Sequence, residues 1–160
     1  MLIVMAFVAI FAPFIAPYNY DEMQVGGDLE PPSSRHIMGT DKFGRDILSR
    51  VVYGTRISFG ISLLVMVISL FLGAPLGLLA GYYGGKTDAL INGFANTMLS
   101  FPCVLMALTV TAIIGPGVEV VIISLGLTNS APLIRLVRGL TLTLREREFV
   151  KAAISVGESR

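Results

Sequence analysis

Few residues in this chain have the types that covalent, metal or phosphate chemistry needs: the single histidine, His36, the single cysteine, Cys103, and the glycine run Gly81-Tyr82-Tyr83-Gly84-Gly85-Lys86-Thr87. A loop that cradles phosphate needs G-x-x-x-x-G-K-[S/T], opening a helix after a strand. Here the glycine spacing is wrong and the run closes an apolar stretch, so a nucleotide site is rejected. His36 has no second imidazole, and its surroundings offer no obvious further metal ligands, so it reads as a loop histidine. Cys103 lies inside a charge-free run, cannot form an internal disulfide and reads as packing. There is no H-E-x-x-H and no Ser/His pair with a base. No catalytic, cofactor-binding or metal residue is expected.

Docking is the chemistry the chain does suggest. Residues 145–160 form a charged helical segment directly after the last apolar run. Phe149, Ala152, Ala153 and Val156 recur at i, i+3, i+4 and i+7 and share one face. Arg145, Glu146, Arg147, Glu148, Lys151 and Glu158 fill the polar positions around it. Two adjacent alanines allow close approach of a partner, and Gly157 can end the helix in a turn. The bland alternative is a solvated amphipathic tail.

The elements that must position this segment are apolar helices. Of the 160 residues 54% are hydrophobic and 14% charged, against roughly 25% charged in a soluble domain. That balance makes this a membrane protein, and the net charge of +1 gives no basic stripe for nucleic acid. Met1–Tyr20, Ile57–Gly85, Ala89–Val118 and Val120–Ile134 lack any Asp, Glu, Lys, Arg or His. A span needs about 20 apolar residues, so the expectation is four spans, the fourth short. No basic lead or cleavage site marks a signal peptide, and the start reads as clipped or misassigned.

Between the first two runs, Pro13 and Pro17 mark the exit from helix, and residues 21–34, rich in Gly, Pro and Ser, are loop. Thr40 or Asp41 can cap a short interfacial helix beginning near Phe43, with Ile47, Val51 and Gly54 on one face. The second span carries Gly73, Gly77, Gly81 and Gly85, each four apart. Such a ladder exposes backbone on one face for close helix packing, in cis or with a second subunit. Pro75 is expected to kink it. Asp88 is expected to cap the third span and Pro102 to kink it, while Gly115-Pro116-Gly117 makes a hairpin turn into the fourth. There, Thr128, Asn129 and Ser130 form a polar triplet that is costly in hydrocarbon unless it faces protein or water. It is a candidate translocation path, with plain interhelical hydrogen bonding as the alternative.

Basic residues set the expected orientation. Seven (Lys86, Arg135, Arg138, Arg145, Arg147, Lys151, Arg160) fall on the side of the tail and five (Arg35, Lys42, Arg45, Arg50, Arg56) in the first loop. The tail is therefore expected inside and residues 18–56 outside.

Several blocks together resemble one family: Ala16-Pro17-Tyr18, His36-x-Met38-Gly39-Thr40-Asp41-x-x-Gly44-Arg45-Asp46-x-x-Ser49-Arg50, Gly54-x-Arg56-x-Ser58, Gly81-Tyr82-x-Gly84-Gly85 and Arg145-Glu146-Arg147-Glu148-Phe149-Val150. The chain is similar over nearly its whole length to the second permease subunit of the dipeptide, oligopeptide and nickel ABC importers. The tail resembles that family's cytoplasmic "EAA" loop, with Lys151 where the family has glutamate. The resemblance implies an all-α, polytopic transmembrane bundle in the bacterial inner membrane, carrying about four of the family's six spans. Residues 1–17 would be the first transmembrane helix and 18–56 an external loop. Residues 57–138 would supply three further helices, and 139–160 an incomplete coupling segment, so the chain reads as a fragment. Implied partners are a second permease subunit, two ATPase subunits, an extracytoplasmic substrate-binding protein and the lipid membrane. Phe149, Ala152, Ala153 and Gly157 would couple to the ATPase, which alone hydrolyses ATP. Peptide is favoured as substrate over nickel or a metal chelate. A nonfunctional permease remnant and a small oligomeric membrane scaffold are the rival readings.

Overall fold

A computed structural model describes residues 1–156 and gives six helices among them. They are α1 (Leu2–Ile15), α2 (Ile47–Tyr83), α3 (Gly85–Ser100), α4 (Cys103–Ile114), α5 (Val118–Arg145) and α6 (Glu148–Ser155). The described residues contain no strand, only an isolated bridge between Thr40 and Asp46. Two compact units divide the chain, Met1–Ser62 and Leu63–Arg160.

In the first unit the loop between α1 and α2 is ordered by its own polar groups. The expected cap is displaced: the helix starts at Ile47 rather than near Phe43, and Asp46, not Thr40 or Asp41, caps it. Asp46 Oδ2 accepts from the Ser49 backbone N–H at 2.8 Å, the bond an N-cap makes to the third residue of the first turn. Asp41 instead closes the turn before it, accepting from the N–H groups of Phe43 and Arg45. No separate interfacial helix forms, because Ile47 begins a continuous helix of 37 residues. At 1.5 Å per residue α2 is about 55 Å long, well beyond the ~30 Å hydrocarbon core. It passes through Pro75 without interruption.

In the second unit Ala80, Ile91, Ala95, Ala131 and Ile134 form the buried core, with Leu76 and Met98 packed on it. Small residues dominate because helices without a hydrophobic drive between them gain most from close backbone approach. The third charge-free run is not one kinked span. It breaks at Phe101–Pro102 into α3 and α4, which meet at 93°. Pro102 has no N–H to continue the α3 ladder, and Phe101 is extended. Gly84 caps α3, so Asp88 lies inside its first turn instead of at the cap. α5 outruns the fourth charge-free run, carrying on through Pro132 to Arg145.

The four expected spans differ in how fully the described helices supply them. α2 and α5 are long and apolar enough to cross a membrane, and α3 with α4 passes as a third if the bent pair is one span. α1 has 14 residues, about 21 Å at helical rise. Packing accounts for three of these crossings, those made by α2, by α3 with α4 and by α5. Gly73 meets Leu133, Gly77 meets Val137 and Gly81 meets Thr141, so α2 and α5 run parallel. Two parallel neighbours need one return crossing between them, and α3 with α4 is the segment that makes it.

Candidate functional site

Four groups of residues carry the polar and close-packed features of this chain: a glycine seam, an arginine clasp, the exposed helix α6 and a buried polar knot. Three of the four seam glycines lie against α5. A methyl group on Gly77 would stand 2.7 Å from Val137 Cβ and 2.8 Å from the Ile134 carbonyl oxygen. On Gly81 it would meet Thr141 Cβ at 2.6 Å and the Arg138 carbonyl oxygen at 2.9 Å. Gly73 faces the Leu133 side chain. Gly85 lies outside the seam, with open space around it. The approach is reciprocal: Gly126 of α5 lies against Ile68, and Ser69 Oγ donates to the Gly126 carbonyl at 3.1 Å. Sequence reasoning missed Gly126, although its four-residue spacing to the buried Ser130 was a readable signal.

At the other end of α5, three arginines on one face reach three backbone or side-chain acceptors. Arg138 grips Asp88 with Nε and Nη2, the latter at 2.6 Å. Arg135 Nη2 donates to Asn96 Oδ1 at 2.6 Å, and Arg145 Nη1 donates to the Tyr82 carbonyl at 3.3 Å. Asn92 donates to both the backbone oxygen and a carboxylate oxygen of Asp88. Asp88, Asn92, Asn96 and Ser100 thus form a polar series four residues apart along α3. That series was visible in the sequence, but which helix it would meet was not.

The predicted path residues do not converge. Thr128 Oγ1 donates to the Ser124 carbonyl, Asn129 Nδ2 to Leu125 and Ser130 Oγ to Leu127. Ser130 is buried and Asn129 exposed, the two being turned about 100° apart on the helix. Each satisfies its polar group on its own helix, which is how hydroxyl and amide groups are commonly accommodated in apolar surroundings.

After α5 the chain turns at Glu146–Arg147, with the Arg147 N–H donating to Leu144 O and the Val150 N–H to Arg147 O. α6 then presents Phe149, 67% exposed, with Ala152 and Lys151 also exposed. Ala153 lies in α6 by its position, and Gly157 lies outside the described residues.

In the knot of the first loop His36 is the loop histidine expected, and it is only 1% exposed. Its Nδ1 lies 3.1 Å from Asp46 Oδ1, and the Tyr18 ring stacks on it at 5.4 Å between centroids. Asp46 Oδ2 also accepts from Ser49 Oγ, which in turn accepts from the Tyr18 N–H at 3.1 Å. The chain just after α1 is thereby tied to the first turn of α2. Thr40 Oγ1 donates to Gly27 O and accepts from the Glu30 N–H. Gly44, at φ +66°, sits where a side chain would strike the Gly26 carbonyl at 2.6 Å, so only glycine fits both the conformation and the space. Among the described residues no group of three or more His, Cys, Asp or Glu could hold a metal.

Electrostatics make this loop acid-sensitive. Partial burial pushes the Asp41 carboxyl up, but hydrogen bonds from the Phe43 and Arg45 N–H groups and from the Arg45 guanidinium outweigh it and bring it down to about 2. Burial likewise opposes, and the Ser49 and His36 hydrogen bonds overcome, a net lowering at Asp46. Both carboxylates therefore contribute stability that is present above their unfolded pKa of about 3.9 and lost as pH falls through the folded values. Cleavage at Phe43 by pepsin, expressed relative to its cleavage of an unfolded peptide at the same pH, should be slow at pH 4 and rapid near pH 2. Equal rates at both would show that these carboxylates do not hold the loop.

Residues 73–160 match the family described as binding-protein-dependent transport system inner membrane component. Residues 1–32 match the N-terminal TM domain of oligopeptide transport permease C. The dipeptide transport system permease protein of Alkalihalophilus pseudofirmus is 40% identical over 159 residues, covering 98% of this chain and 52% of the relative. The glutathione transport system permease protein of Pectobacterium atrosepticum is 36% identical, over 94% of this chain and 50% of the relative. A probable D,D-dipeptide transport system permease protein of Escherichia coli is 33% identical, over 100% of this chain and 54% of the relative. The chain spans about half the length of these curated relatives.

Proposed function

Because the chain belongs to the binding-protein-dependent transport system inner membrane component family, we propose that it acts as a permease subunit of an ATP-driven importer of peptides. The observation that carries the reading is α6. It is an eight-residue amphipathic helix with an exposed aromatic residue, attached by a two-residue turn to the end of a long apolar helix. An exposed Phe149 beside small residues suits insertion into a pocket on a partner surface. The partners are two ATPase subunits on the inner side, a second permease subunit beside the helices and an extracytoplasmic binding protein that delivers substrate. The printed names of the relatives, dipeptide, glutathione and D,D-dipeptide permeases, favour short peptides. His36, committed to Asp46 and stacked under Tyr18, is not disposed to take a metal cargo.

On this reading the subunit does no bond chemistry. ATP closure of the ATPases displaces α6, and that displacement biases the helices between two arrangements of the path. Gly73, Gly77 and Gly81 keep α2 and α5 together while this happens, and Asn129 is the one exposed member of the polar triplet left to face a path.

The test is uptake of a labelled dipeptide into vesicles carrying this chain with its partners, together with co-purification of the ATPase. Phe149→Ala leaves the helices untouched and should weaken ATPase association about tenfold or more, with uptake falling in parallel. Unchanged association would remove α6 as the docking element. Absence of ATP-dependent uptake by the unaltered assembly would remove the importer reading.

A further inference from the structure

The arginine clasp connects the helix that leads to α6 with the helix that ends at the break, and it does so at fixed register. Arg138 holds Asp88 in the first turn of α3 by two hydrogen bonds, and Arg135 holds Asn96 two turns further on. Four residues beyond Asn96 is Ser100, the last residue of α3, whose hydroxyl donates to the Asn96 carbonyl at 2.8 Å. Phe101 and Pro102 follow, and α4 leaves at 93°. In the other direction, seven residues separate Arg138 from Arg145, where α5 ends, and α6 begins three residues later.

We infer that Asp88 and Arg138 are positioning residues of the transport cycle. Together they form the joint through which a displacement of α6 is carried by α5 into α3 and concentrated at the Phe101–Pro102 break, moving α4. This rests on the reading of α6 as the ATPase-docking helix. Apolar packing alone would not serve as well. The Ile91, Ala95, Ala131 and Ile134 contacts between α3 and α5 are non-directional and allow the helices to slide. A two-point guanidinium–carboxylate pair fixes both separation and orientation. With α3 fastened to α5 at two places, the two residues between α3 and α4 are where the backbone can absorb rotation, as a hinge does. Asn92, which donates to Asp88, holds the carboxylate in the orientation the fork requires.

The experiment uses the whole transporter in lipid nanodiscs, in a Cys103→Ser background, with an environment-sensitive fluorophore on Lys151→Cys in α6 or Val104→Cys in α4, both exposed positions. In the otherwise unaltered protein ATP should change both signals. Because α4 also packs directly on α5, in Asp88→Asn the Lys151 signal should persist, the Val104 signal should fall at least twofold, and uptake should fall at least tenfold while ATP hydrolysis stays within twofold. Asp88→Arg with Arg138→Asp should recover part of the Val104 signal. A Val104 response in Asp88→Asn equal to that of the parent overturns the joint while leaving the docking reading intact. Loss of the Lys151 response in the parent itself overturns the docking reading and the joint with it. Should Asp88→Asn fail to assemble, Arg138→Lys decides. It keeps the cation but removes the fork, so a reduced Val104 signal beside an intact Lys151 signal supports the joint, and full retention of both rejects it.

Discussion

Gly77→Leu should separate α2 from α5 and strip the second unit of its packing. Even one added carbon would stand 2.8 Å from the Ile134 carbonyl and 3.1 Å from the Arg138 N–H, which are backbone atoms with no rotamer to escape into. The helices must therefore move apart, and with them the Ser69 to Gly126 hydrogen bond and the contacts of Gly73 and Gly81. Overpacking of this kind costs typically ~1–3 kcal/mol, and a leucine against backbone belongs at or beyond the upper end. Gly93 is the control. It is helical, exposed and has nothing within 4 Å, so Gly93→Ala should be neutral or gain about 0.5–1 kcal/mol of helix propensity. Thermal unfolding of the purified chain in detergent compares the two. Similar melting temperatures for Gly77→Leu and Gly93→Ala would mean that the seam contributes nothing to stability.

Asp46→Ala should release the first loop. Its carboxylate accepts from Ser49 N–H and Ser49 Oγ and lies against His36 Nδ1, all of them buried. Losing a helix cap costs about 0.5–2 kcal/mol, and leaving buried partners unsatisfied adds roughly 1–3 kcal/mol. The sum, about 1.5–5 kcal/mol, is large for a loop that has little apolar core of its own. Amide hydrogen exchange across residues 18–50 reads the effect, which should spread to Tyr18 because its N–H depends on Ser49. Asp41→Ala should be milder, since Asp41 is more exposed and its two arginine partners can return to water. Exchange confined to Ser49 alone would show that the knot is not cooperative.

These two sites differ in how far they could be read beforehand. The four-residue glycine spacing is a helical signal, so a seam was legible, and so was an exposed face of α6, where Phe149 and Ala152 obey the same period. The membrane character follows from charge-free length alone. What the ladder would face was not legible, because spacing along one helix carries no information about its neighbour. The knot was harder still. His36, Asp46 and Ser49 fall in a stretch with no period, and their bonds depend on a loop path set by Gly39 and Gly44 at positive φ.

Composition and local period by themselves determined that this chain is helical, lies in a membrane and carries an amphipathic helix after its last long apolar one, because those properties depend on each residue's own polarity and its neighbours one turn away. Tertiary structure alone decided the rest. It put Gly85 outside the seam and Gly126 inside, since partner helices must be in register to touch. It turned the third run into two helices, since a proline's missing N–H can be met by a kink or by a break, and packing chooses. It drew Arg138 to Asp88 across 50 residues, since the cost of an unpaired charge beside hydrocarbon is relieved only by a counter-charge the fold happens to bring near.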